Sequence, residues 1–120
     1  MEQPVEKSIY YAVIATTTLR SMTSEMQQRF ASLSDRMYAL ASEQDGFLSR
    51  DAVRNEELGI SVSYWRSLEA IEAWRNDARH MAIKALGRKD FYSTWQIRIC
   101  RVESEYGNNV PVSDRVGATD

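Results

Sequence analysis

Residues 8–19, SIYYAVIATTTL, limit the possible folds more than any other stretch. The run is rich in β-branched and aromatic residues, which favour a strand. A strand turns successive side chains to opposite faces. Ile9, Tyr11 and Val13 fall on one face and Tyr10, Ala12 and Ile14 on the other, so both faces are apolar. A strand of this kind needs cover on both sides of its sheet. Helices of the same chain supply one cover; the other has to come from elsewhere.

The remaining elements follow from period and punctuation. Met26, Phe30, Leu33, Met37 and Leu40 form one apolar stripe and predict a helix over 24–43, capped by Ser24 with Gln27 and stopped at Asp45-Gly46. Residues 47–54 and 59–66 read as a hairpin turning through Asn55-Glu56-Glu57-Leu58. In its second strand Ile60, Val62 and Tyr64 alternate with Ser61, Ser63 and Trp65. Ser67 caps a second helix whose buried stripe is Leu68, Ile71, Trp74, Ala78, Met81 and Ala85, with Gly87 as its end. Residues 88–94 connect to a last strand over 95–106, with Trp95, Ile97 and Ile99 opposite Arg98, Cys100 and Val102. The order βαββαβ is α+β and ferredoxin-like: a four-stranded antiparallel sheet with two helices on one face. Residues 1–7 read as a flank, 8–106 as the domain and 107–120 as a tail, flexible or wrapped on a partner. The cheapest cover for the second sheet face is another copy of that face, which predicts a homodimer.

Composition removes several functions. At 120 residues the chain is one domain, and a net charge of −2 with a pI near 5.5 argues against a bulk basic field for nucleic acid. The third strand, preceded by Glu56-Glu57, also lacks the stacking aromatics and basic residues of an RNA-binding sheet. No apolar run is long enough to span a membrane, and residues 1–8 lack a secretory pattern, so the expectation is a cytoplasmic protein. One cysteine and one histidine exclude a His/Cys zinc cluster, and no metal is expected. The glycines form no dinucleotide, phosphate-loop or nucleophile-elbow motif. Cys100 falls mid-strand, where a thiol is usually a small hydrophobe rather than a nucleophile.

What remains is a cluster of aromatic and basic residues in the second half: Tyr64, Trp65, Trp74, His80, Arg88, Tyr92, Trp95 and Arg98. Between residues 66 and 101 there are eight basic side chains against four acidic ones. A pocket between the second helix and the sheet, walled by these rings, suits a flat, anionic or enolisable molecule. Each residue also has a plainer reading. His80 lies off the stripe and fits a backbone-bonded flank position as well as a base. Trp74 lies on the stripe and reads first as core. Trp65, in phase with two serines, reads as a pocket or interface residue. Arg88 follows Gly87 and caps a helix end as readily as it binds a ligand. Arg98 pairs with Glu103 or Asp90, or reaches a ligand. Tyr92 anchors the connector, and Met81 lines the pocket or fills space.

The run from Tyr64 to Arg75, then His80, Gly87-Arg88, Tyr92 and Arg98-Ile99, with Asp45-Gly46-Phe47-Leu48 upstream, resembles the antibiotic biosynthesis monooxygenase domain of the dimeric α+β barrel superfamily. The resemblance covers roughly residues 10–106. It implies a barrel made by two sheets and, for some members, oxygenation of polyphenols or quinone precursors by dioxygen without metal, flavin or haem. On that basis His80 is the candidate base and Arg88 or Arg98 the stabiliser of the anion. Tyr64 or Tyr92 is the hydrogen-bond donor, and Trp65, Trp74 and Trp95 are the stacking rings, with Met81 beside them. The haem-degrading branch pairs a first-strand Asn and a second-helix Trp with a His about ten residues later. This chain has no Asn in 8–19 and carries Lys84 at that place, so the expectation is no cofactor. Phe91 and Ser104 depart from the Trp and Arg that relatives often carry. Two alternatives remain open: a non-catalytic dimer that binds a small hydrophobic ligand or protects a reactive metabolite, and an isomerase or muconolactone-type lactone enzyme of the same superfamily working through His80.

Overall fold

A computed structural model describes residues 9–108; the expected N-terminal flank and nearly all of the tail lie outside these residues. The elements are β1 (Tyr10–Leu19), α1 (Ser24–Ser42), β2 (Phe47–Arg54), β3 (Leu58–Trp65), α2 (Leu68–Arg75), α3 (Ala78–Leu86), a π-helical turn (Gly87–Phe91) and β4 (Tyr92–Val102). The strands form one antiparallel sheet in the order β2-β3-β1-β4. This is the ferredoxin-like α+β fold.

Cross-strand partners share a face, so the register sorts the side chains. Tyr11 lies opposite Trp65, Val13 opposite Ser63 and Ile99, and Thr17 opposite Gly59 and Trp95. That face carries the helices: Trp65, Ala41, Ile71 and Trp74 are buried together, with Tyr11, Val13, Met37, Leu40 and Phe47 against them. The other face carries Tyr10, Ala12, Ile14, Val62 and Tyr64. It keeps Leu58, Ile60 and Val53 open, the last 72% exposed. Both faces of β1 are therefore apolar, and the helices of one chain cover only one of them.

Local chemistry sets the ends. Thr23, not Ser24, is the N-cap of α1, its hydroxyl accepting from Met26 N at 3.1 Å. Either residue suits a cap, and the backbone turns helical one residue later than Thr23. Gly46 has φ +91°, and a Cβ there would meet Ala70 Cβ at 2.5 Å, so only glycine lets this turn close on α2. The Asn55 side chain ties the hairpin by accepting from Glu57 N and Leu58 N at 2.9 and 2.7 Å.

The second helix departs from expectation. It breaks at Asn76-Asp77 into α2 and α3. Asp77 starts the new helix, accepting from Arg79 N and His80 N at 2.9 and 3.3 Å. A fresh start resets the helical phase. The expected stripe therefore fails beyond Trp74: Ala78 and Ala85 are exposed and Met81 is 52% exposed, while His80 and Ile83 are buried. Leu68 is exposed as well, in the first turn. Gly87 does not end the helix; it is αR (φ −58°, ψ −48°) and leads into the π-helical turn, which ends at Phe91.

Candidate functional site

His80 sits in the first turn of α3, with its ring stacked on Trp74 at 3.9 Å between centroids and 4° between planes. Trp74 in turn stacks on Trp65 at 6.1 Å. The two tryptophans form the core under the imidazole. His80 Nδ1 lies 2.7 Å from the carbonyl oxygen of Trp74. A carbonyl only accepts, so Nδ1 carries the proton and the lone pair of the neutral ring is on Nε2. Among the described residues Nε2 has no hydrogen-bond partner. Burial lowers the imidazole pKa most; the Trp74 carbonyl opposes this, and Lys84 and Arg88 lower it further. His80 is thus a neutral base of fixed tautomer near pH 7.

Lys84 follows His80 by one turn of α3, and Arg88 comes from the π-helical turn; both act electrostatically on the imidazole. Lys84 is itself held below its usual pKa by burial and by Arg88 and Arg75. Arg88, from the π-helical turn, lies 3.6 Å above the Trp95 ring of β4. The row therefore runs Trp74, His80, Lys84, Arg88, Trp95: a proton acceptor followed by two cations and bounded by two indoles. Such a row can take a proton and hold the anion that forms. The spacing of Lys84 to His80 is visible in the sequence, but nothing there gives it a role.

The structure divides the other expected residues. Tyr92 stays on the helix side, edge-on to Phe30 at 5.9 Å. Trp65 is fully buried at 0% exposure, so it is core and not a pocket wall or interface; alternation with serines did not reveal which face the helices cover. Trp74 is core, as its place on the stripe suggests, and also the platform for His80. Met81 points away from the core, because of the helix break. Tyr64 and Arg98 lie on the opposite sheet face, in register with Ala12 and Ile14. Tyr64 meets Tyr10 at 6.0 Å and Asp51 at 3.4 Å. A single strand alternates faces, so residues close in sequence were separated by parity. Asp90, offered as a partner for Arg98, pairs with Arg29 at 3.7 Å.

The fold and this row can be set beside known proteins. The model of the antibiotic biosynthesis monooxygenase family matches residues 12–86. The chain belongs to that family. The uncharacterized Bacillus subtilis (strain 168) protein YqjZ is 38% identical over 97 residues, 80% of this chain and 82% of that protein. Among solved structures, SnoaB of Streptomyces nogalater, a cofactor-independent oxygenase, superposes with a TM-score of 0.67 at 14% identity, covering 85% of this chain and 97% of SnoaB. PA3566 of Pseudomonas aeruginosa gives 0.65 at 19% identity, with 79% and 95% covered. At such identities the likeness is one of fold. No helix among the described residues is long and apolar enough to cross a membrane.

Proposed function

We propose that this family member is a cofactor-independent monooxygenase of a small aromatic, polyphenol or quinol-like substrate, with His80 as base. The observation that carries the reading is the fixed imidazole: Nδ1 tied to the Trp74 carbonyl at 2.7 Å, Nε2 unpartnered among the described residues, and two cations in line beyond it. A phenol or anthrone gives its proton to Nε2. Lys84 and Arg88 hold the resulting enolate, with the Trp95 ring beneath the Arg88 guanidinium. The carbanion donates an electron to dioxygen, and the radical pair recombines to a peroxide. Protonation and loss of water leave the new carbonyl, so one oxygen atom enters the product and the other leaves as water. A second copy of the chain covers the open sheet face, making the working unit a homodimer.

Oxygen consumption with a panel of anthrones and hydroquinones tests the reaction. His80→Gln is expected to lower kcat/KM by about 10²–10⁴-fold, the usual contribution of general base catalysis. Arg88→Gln is expected to lower it less. Absence of substrate-dependent uptake across the panel overturns the enzymatic reading and leaves a small-molecule binder of the same fold.

A further inference from the structure

The sheet face beneath α1 is lined with small residues. Ala15, Thr17, Gly59, Ser61 and Ser63 point to the helices, while Ile14, Ile60, Val62 and Tyr64 point away. Covered faces are ordinarily filled with large apolar side chains. Here Met37 and Leu40 of the α1 stripe pack against the core, yet the stripe as a whole, with Met26, Phe30 and Leu33, stays half-buried. Two arginines of edge strand β2, in register with Ser63 and Gly59, lie beside it, Arg50 half-buried and Arg54 exposed.

Arg54 reaches across β3 to donate to the hydroxyl of Thr17 on β1, with its plane over the Phe30 ring at 5.1 Å. A Cβ on Gly59 would overlap that guanidinium, so the glycine is its seat. Arg50 donates from Nε to Ser61 Oγ at 3.2 Å and lies over Tyr38 at 5.0 Å. Neither arginine has a carboxylate partner among the described residues. Their remaining N–H groups have no acceptor there either. Both act electrostatically on the Tyr92 phenol, which burial keeps protonated against their pull and so leaves as a donor. Two like charges held this way by hydroxyls and rings, and open to solvent at the sheet edge, can take an anion between them.

We infer that Arg50 and Arg54 form a carboxylate site for an aromatic ligand, with Tyr92 as a further donor and Phe30 and Tyr38 as walls. The guanidinium fork matches a planar carboxylate, and the aromatic walls match a ring beside it. The inference deepens the proposed reaction by giving the substrate a charged group, yet binding is measured without turnover, so the two readings fail separately.

The test is anaerobic calorimetric titration with 1-hydroxy-2-naphthoate, its carboxamide, phenyl phosphate and inorganic phosphate. Charged hydrogen bonds of this kind lead us to expect the carboxylate to bind about tenfold or more tighter than the carboxamide and than either phosphate. Arg54→Gln and Arg50→Gln remove that preference, and Arg54→Lys restores it in part. Thermal melts of each variant separate lost binding from lost folding, and Thr17→Val, which frees Arg54 without removing it, weakens binding if the bond positions the fork. Equal affinity for carboxylate and carboxamide overturns the inference. So does tighter phosphate binding, a preference that survives in a folded Arg54→Gln variant, or no binding of the carboxylate at millimolar concentration.

Discussion

At the residue scale the imidazole of His80 couples stability to pH. Its folded pKa lies below the ordinary value of about 6.5, chiefly through burial. The unfolded chain therefore binds a proton that the folded chain refuses. The contribution to stability is fully present above about pH 6.5 and is lost as pH falls through the folded value. Denaturant midpoints measured from pH 8 to pH 5 are expected to fall for the wild type and to stay flatter for His80→Gln. The same shift predicts that kcat/KM reaches its plateau at a lower pH than a free imidazole would give. A plateau set above pH 7 would remove His80 from the base role. Trp65 is the other decisive residue: fully buried between Phe47 and Trp74, its ring 5.4 and 6.1 Å from theirs. Trp65→Ala is expected to cost about 3–5 kcal/mol, read by denaturant unfolding.

At the element scale, caps and breaks decide where the candidate side chains point. The Ser67 hydroxyl accepts from Ala70 N at 3.0 Å and starts α2, so Ser67→Ala is expected to cost about 1 kcal/mol in a chemical melt. Asp77 starts α3, and Arg79 beside it holds its carboxylate below the usual range through a side-chain hydrogen bond. The expected single helix over these residues would have buried Met81 and turned His80 aside. The cap at Asp77 instead puts His80 and Ile83 on the buried side, and lines up Lys84 and Arg88 behind the imidazole. An Asp in mid-helix was visible in the sequence. Its capping role was not, because an apolar period on either side can be joined through such a residue by eye. The strands were legible to within a few residues, since alternation is local. Which parity faces the helices was not, and that misplaced Trp65, Tyr64 and Arg98.

At the scale of the whole molecule the exposed apolar surface supports the proposed homodimer. Leu58, Ile60 and Val53 stand open on one face, and Trp95, Ile97 and Ile99 on the helix side of edge strand β4 are 45%, 40% and 43% exposed. A monomer rarely leaves surfaces of this kind wet. Sedimentation is expected to give a dimer at micromolar concentration, and Ile60→Lys to shift it toward monomer. A wild-type monomer at those concentrations would contradict the homodimer.

Period and turn chemistry within a few residues were enough to give the element order, the sheet, the α1 stripe and the double-sided β1. The linear chain also carried the family signature and offered His80, Arg88 and Trp95 among its candidates. Packing in three dimensions was needed to stack His80 on Trp74 and tie it to that carbonyl, to send Tyr64 and Arg98 across the sheet, and to lay Arg50 and Arg54 against the Tyr38 and Phe30 rings of α1. Those facts depend on which face the helices cover and on how far their side chains fill it. Both are set by contacts between segments far apart in the chain, which no local pattern encodes.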